Sequence, residues 1–231
     1  SSSVFSAISV VNYSYLPNSD LISQMTNDQG PVTSRSYEPN RDLLTQVKNQ
    51  VGATTISQYD YQNDALGRRY TLRQSGTAFE GLEAFWRYGY NDRSEVTTGK
   101  RYFGSDVNQT NNPVGLQDFG YDYDPIGNRV SATKNSTSET YTANGLNQYS
   151  QRTVAGIVDV IGSGNTGATV TVNNSQVSRQ GAYWYKELSV TNTSAAVNQS
   201  VSVLGVRKNA GPGGTDVVTS VTGSIFVAKT P

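Results

Sequence analysis

The chain has 231 residues, 35% hydrophobic and 16% charged, with 18 basic and 18 acidic side chains and neither histidine nor cysteine. That composition excludes disulfides, thiolate zinc sites, and Ser-His-Asp or Cys-His catalysis, so an enzyme here would have to work with carboxylates, Tyr, Lys or Arg. Zero net charge gives a nucleic-acid partner no electrostatic footing, and no apolar run is long enough for a membrane-spanning helix.

The opening residues, SSSVFSAISVV, lack the basic start and long apolar core of a signal peptide. The expectation is that a signal has been removed or that the chain is a piece of a larger one. From Tyr13 onward a pattern recurs. YSYLPNSDLISQM begins at Tyr13, SYEPNRDLLTQV at Ser36 and YDYQNDALGRRYTL at Tyr59. YGYNDRSEVTTGKRYF follows at Tyr88, YDYDPIGNRVSAT at Tyr121 and YTANGLNQYSQRT at Tyr141. Each has a tyrosine-led start, a polar turn segment and an alternating continuation. With Tyr15, Tyr37, Tyr61, Tyr90, Tyr123 and Tyr141 as anchors, the steps run from 18 to 33 residues. About 20 residues is what two strands and two connections need.

The physics of one unit is local. Tyr121 and Tyr123 are two apart and share a sheet face, which Phe119 extends. Asp124 bonds its own backbone ahead, Pro125 presets φ for a turn, and Gly127 supplies a positive φ. Asp64-x-x-Gly67 aligns with this turn, Asn91-x-x-Ser94 is a degenerate copy, and Asn144-Gly145 reads as a hairpin dipeptide. One hairpin is marginal in water, so the units must stack into one sheet. Between repeats, GTAFEGLEAFWRYG (76–89) has Phe79, Leu82 and Phe85 or Trp86 at helical spacing and reads as a long loop or short helix.

After Thr153 the tyrosine-led turns stop. ATVTVNN, GAYWYKELSV, QSVSVLGV, TDVVTSVTG and SIFVAK read as short strands between turn clusters. The expected architecture is all-β. Stacked hairpins over 1–154 form a curved or spiral antiparallel sheet, and 155–231 form a small β-sandwich-like module.

These residues resemble the YD repeats of the Rhs family, in which Tyr-Asp leads an Asp/Asn-x-x-Gly turn. The carriers are Tyr59, Tyr61, Asp64 and Gly67; Tyr88 and Tyr90; Tyr121, Tyr123, Asp124 and Gly127; and Tyr141, Asn144 and Gly145. The resemblance covers roughly residues 10–154 and is most specific at 119–150. It implies a spiral sheet of the kind that walls the hollow shells of bacterial polymorphic toxins, insecticidal toxin complexes and teneurins. Six repeats amount to part of such a wall. Family members that cleave themselves carry aspartates after the last repeat. Asp124-Pro125-Ile126-Gly127 resembles that text but sits inside a repeat turn, so no protease site is assigned.

Several constellations could carry chemistry. Asp122 and Asp124, an i, i+2 pair, could serve a glycosidase or calcium, against a turn cap plus a solvated acid. Asp60 and Asp64 take the same turn explanation. Glu80, Glu83, Trp86, Arg87 and Tyr88 could form a sugar site with stacking on Trp86, or a connection whose aromatics plug the sheet. Lys100, Arg101 and Tyr102 could support uronate proton abstraction. Trp184 opposes Tyr183 and Tyr185 across its strand, so one face is core and the other is an aromatic platform or a packing surface. GSGNTG and AGPGG lack the Gly-Lys-Ser/Thr of a phosphate loop. Asn135 and Asn192 head Asn-x-Ser/Thr triplets that so polar a chain produces by chance.

No catalytic residue, metal or cofactor is assigned. The leading expectation is a secreted or surface segment that encloses, displays or adheres, partnered by other segments of its own or a second Rhs-type chain. A glycan-binding module and a histidine-free polysaccharide lyase or glycosidase are the alternatives.

Overall fold

A computed structural model describes residues 11–27 and 30–231. The first strands are β1 (Val11–Tyr15), β2 (Ile22–Asn27), β3 (Val32–Tyr37), β4 (Leu44–Val51), β5 (Thr54–Asn63) and β6 (Arg69–Ser75). Next come β7 (Ala84–Tyr90), β8 (Val96–Phe103), β9 (Pro113–Tyr123), β10 (Arg129–Lys134), β11 (Thr137–Ala143) and β12 (Tyr149–Arg152). These twelve form one antiparallel sheet in sequential order, the outcome expected when connections are too short for anything but hairpins. The anchor tyrosines all lie on odd-numbered strands, leading into the turns along one end of the sheet.

Internal packing gathers the chain into two compact units: residues up to Gly89 with Arg101–Asn112, and Tyr90–Lys100 with Pro113–Pro231. In the first, the ladders slip by one residue at Ser14/Tyr15, Ser36/Tyr37 and Gln62/Asn63, each just before a turn. Such bulges tighten the twist where a strand enters its turn. The core is thin. Among the described residues of this unit, Ala84 and Phe85 are the buried apolar side chains, both at 0% exposure. Phe85 stacks on Tyr102 at 5.4 Å between centroids. The stretch 76–89 divides: over 76–83 it is a loop holding one short 3-10 helix, Thr77–Phe79, as the sequence suggests, but Ala84 onward is strand. Two glycines limit the helix. Gly76 (φ 106°) and Gly81 (φ 71°) sit in backbone regions closed to a right-handed helix.

In the second unit, seven further strands follow the hairpins: β13 (Ile157–Ser163), β14 (Thr169–Val172), β15 (Ser175–Gln176), β16 (Ser178–Gln180), β17 (Tyr183–Ser189), β18 (Val197–Arg207) and β19 (Val217–Val227). They form two sheets, ordered β13-β17-β16 and β15-β14-β18-β19. The sheets share two apolar clusters. One holds Val158, Val190 and Val227; the other holds Val170, Val172 and Trp184, with Val160, Leu188 and Val201 packed on both. This is the alternating in-out pattern of a sandwich. At Gly162 the backbone passes so close to the indole that a Cβ would lie 2.3 Å from Trp184 Cζ2.

Candidate functional site

The residues singled out for chemistry converge on the turns, and four of these share one hydrogen-bond scheme. Let position 0 be Asp64, Asn91, Asp124 or Asn144. The backbone closes on itself in each: the position-0 amide donates to the carbonyl at +4, and the +3 amide donates to the position-0 carbonyl, at 2.8 to 3.1 Å. The position-0 side-chain Oδ1 accepts from the amides at +2 and +4, at 2.8 to 3.0 Å. The +3 residue takes the left-handed conformation: Gly67 at φ 80°, Ser94 at 62°, Gly127 at 93° and Asn147 at 61°. Asn144-Gly145 is therefore not a two-residue hairpin turn. The residue that reverses the chain there is Asn147, and Gly145 occupies a position that does not require glycine.

A second rule couples positions 0 and +4. Arg68 Nε donates to Asp64 Oδ2 at 2.7 Å, and Asn128 Nδ2 to Asp124 Oδ2 at 2.8 Å. With an amide at position 0 the polarity inverts: Asn91 Nδ2 donates to Glu95 Oε2 at 2.6 Å, and Asn144 Nδ2 to Gln148 Oε1 at 3.3 Å. An acid is thus matched with a donor, and an amide with an acceptor. The carboxyls report the same arrangement. Asn128 is the main cause that holds Asp124 below its ordinary range, and Asn91 does so for Glu95. For Asp64, burial pushes upward, but Arg68 and the turn amides outweigh it and the net shift is downward.

Side chains also tie neighbouring repeats together. Arg41 Nη1 donates to the Asp64 carbonyl at 2.7 Å, and Arg93 Nη2 to the Asp124 carbonyl at 2.6 Å. Tyr37 Oη donates to the Ile22 carbonyl and Tyr123 Oη to the Val96 carbonyl, each at 2.9 Å. Arg69 lies 3.7 Å from the Tyr61 ring centroid and Arg129 4.6 Å from that of Tyr121, cation–π placements that cover the tyrosine faces. The arginine clamps had no signal in the repeat pattern. The 0/+4 complementarity did, since it is written in the residue identities.

Other sequence candidates find structural partners. Asp60 is not a turn residue. It sits in β5 and accepts from Gln46 at 2.7 Å, from Gln58 at 2.9 Å and from Arg73 at 2.8 Å. Burial pushes its carboxyl up, and these three partners bring it below the ordinary value. Asp122, which the sequence left without a partner, accepts from Ser131 Oγ at 2.7 Å. Lys100 pairs with Asp118 at 2.5 Å, Arg101 Nη2 donates to Gln74 at 2.8 Å, and Tyr102 lies under Phe85. Asn192 is 3% exposed and donates to the carbonyls of Val154 and Ala228 at 3.1 and 2.8 Å. A buried amide so engaged is closed to modification in the folded chain.

The sugar-site candidates separate. Trp86 and Tyr88 stack in parallel, 6.2 Å between centroids with a 4° interplanar angle. Arg87 is exposed on the opposite face of the same strand, where alternation puts it. Glu83 lines a small recess with Glu80, Thr55, Ser75 and Thr77, away from the two rings. Trp184 is 8% exposed, inside the sandwich core, and Tyr183 Oη donates to the Gly115 carbonyl at 2.7 Å. Neither face of that strand is an open aromatic platform.

One concave region in the second unit went unread in the sequence. A cleft of about 640 Å³ is lined by Tyr121, Tyr141, Lys134, Glu139, Arg152 and Asp159, with Ile225 and Phe226 opposite. Its charges are paired: Lys134–Asp159 at 2.7 Å and Arg152–Glu139 at 2.6 Å. Glu139 is the main cause that raises Arg152 above its ordinary range. No nucleophile–base pair is assembled there. Among the described residues no group of three or more acidic, His or Cys side chains is placed to hold a metal.

No protein-family model and no curated protein matches the chain. Solved structures give a partial likeness. The crystal structure of TcdB2-TccC3-Cdc42 aligns over 90% of this chain at 16% identity and TM-score 0.43. A Photorhabdus luminescens Tc holotoxin pore carrying a TccC3 point mutation aligns to the same extent, and the TcdB2-TccC3 crystal structure aligns over 86% of this chain, both at 16% identity and TM-score 0.43. This chain spans 9% of the length of each of those chains.

Proposed function

We propose that the chain is a non-enzymatic wall segment of a secreted, toxin-associated YD-repeat protein of a bacterial exterior or cell surface. Residues 1–154 are the repeat wall, and residues 155–231 are a β module carried by it. Its partners are further wall segments, from its own or a second YD-type chain. One observation carries this reading: the position-0 acids and amides of the repeats are spent on closing their own turns, and Arg41 and Arg93, besides pairing with Glu38 and Glu95, clamp the next turn. Groups so engaged hold the shape of the turn, and their donors would have to be displaced before they could take part in a reaction. The test is a turnover screen of the full chain on neutral and uronate-containing polysaccharides. No turnover is expected, and turnover abolished by Asp60→Asn or Glu83→Gln would replace the wall with an enzyme. Hydrogen exchange tests the division, with two protection classes expected to meet near residue 154.

A glycan-adhesion reading is favoured by the parallel Trp86–Tyr88 pair, a surface on which a sugar ring can stack. It requires glycan-array binding that Trp86→Ala removes.

A further inference from the structure

Among the described residues, strand β19 is the outermost strand of its sheet, with β18 on one side and no strand on the other. It runs eleven residues, Val217–Val227, and pairs with β18 at every position with no bulge. Ten of the eleven residues are exposed, Val218, Val221 and Phe226 at 60%, 65% and 69%. The strand contains no charge and no proline. Folded proteins ordinarily protect such an edge with a charge, a proline, a bulge or brevity, and β19 has none of these.

The charges stand just outside the strand, and they are opposite. Asp216 precedes it and Lys229 closely follows it, both exposed. Antiparallel pairing of two copies sets the acidic end of each against the basic end of the other, whereas parallel pairing sets like against like. We propose that β19 is a homotypic interface, joining two copies of this chain edge to edge about a twofold axis at Thr222. The two four-stranded sheets then become one of eight strands. A twofold normal to the sheet keeps the inner faces on one side, so opposed residues share a face. In this register Val218 meets Phe226, Thr219 meets Ile225, and Val221 meets Gly223, which leaves room for the valine. The inference concerns assembly and stands or falls independently of the wall reading.

The contact is about 37 Å long at 3.4 Å per residue and one strand wide. That is at the small end for a specific interface, so association lies in the range of about 10 μM to 1 mM. Sedimentation velocity on the full chain across that range is expected to show monomer giving way to dimer. Val221→Lys, an exposed substitution that places two like charges beside the axis, is expected to leave the melting temperature unchanged and hold the chain monomeric. Lys229→Asp weakens the dimer at least several-fold, and adding Asp216→Lys restores it. The chain has no cysteine, so a single Thr222→Cys reports the axis: opposed Cα atoms lie about 4.5–5.5 Å apart, within disulfide reach. Ser220→Cys puts its two thiols four residues out of step, about 13 Å apart, and cross-links slowly. Monomer throughout, a dimer indifferent to Val221→Lys, or equal cross-linking at 220 and 222 overturns the proposal.

Discussion

Replacing Phe85 with alanine is the sharpest test of what holds the first unit together. The side chain is 0% exposed, and Ala84 beside it is the other buried apolar residue described there. Wide as the twelve-stranded sheet is, most of its side chains are only half-buried, so this ring contributes a disproportionate share. Phe→Ala in a closed core costs about 3–5 kcal/mol from lost transfer energy and the residual cavity. The stacked partner, Tyr102 at 5.4 Å, loses its own contact as well. With a urea dependence of about 2 kcal/mol per molar, the unfolding midpoint falls by roughly 1.5–2.5 M. The chain's two tryptophans fall one in each unit, Trp86 in the first and Trp184 in the second. Urea titration in a Trp184→Phe background therefore lets Trp86 fluorescence follow the first unit. A midpoint shift below about 0.5 M, near 1 kcal/mol, would refute the idea that Phe85 organises this unit. Trp86→Ala, which removes a half-buried ring from the other face, should shift it much less when followed by circular dichroism.

The turn rule predicts a rescue: Asn91→Asp sets a second carboxylate against Glu95 across a 2.6 Å contact and lowers the melting temperature, and Glu95→Asn then recovers it by recreating the Asp/Asn pairing of 124 and 128. Failure of the double variant to recover would show that the pair is incidental. Acid should destabilise the chain in a defined direction, because Asp60, Asp64, Glu95 and Asp124 are all held below their ordinary values. Their contribution is complete above the unfolded pKa of about 4 and is lost as pH falls through the lower folded values; thermal melts should be flat from pH 7 to 5 and fall below 4, with a shallower fall in Asp124→Asn. Gly162→Ala drives a methyl into Trp184 and should cost about 1–3 kcal/mol with a shifted Trp184 emission; a variant as stable as the parent would mean the indole moves freely.

The hairpin stack was legible because its signals are local. Tyr121 and Tyr123 share a face by strand geometry alone, and Asp124 and Gly127 answer to turn chemistry that operates within five residues. Where the reading failed, a local rule lost to context. The loop or short helix read over 76–89 holds for 76–83, but Phe85 and Trp86 lie in β7, where strand alternation overrides their helical spacing. Asn144-Gly145 matches a hairpin dipeptide, yet the conformation at that turn belongs to the longer scheme reversed at Asn147. The repeat pattern assigns Asp60 the turn role of Asp64, while its partners Gln46 and Arg73 come from the strands on either side. The 640 Å³ cleft could not be read at all. Its lining joins residues about 100 apart in the chain, Tyr121 and Phe226 among them, and nothing in either segment announces the other.

The 0/+4 pairing bears on function more directly than any pocket. A turn that required only its Oδ1 bonds would accept Asp or Asn at position 0 without regard to +4. The four turns instead combine Asp with Arg, Asn with Glu, Asp with Asn and Asn with Gln, and in every one the +4 side chain completes the position-0 group rather than opposing it. Catalysis needs the reverse: a carboxylate raised toward neutral pH or a base left unsatisfied until substrate arrives. Here each shifted turn carboxylate is depressed, and each is depressed by partners within its own turn. A sequence that repeatedly matches donor to acceptor at these positions is using its acids to fix where one hairpin ends and the next begins, as the proposed wall segment would require.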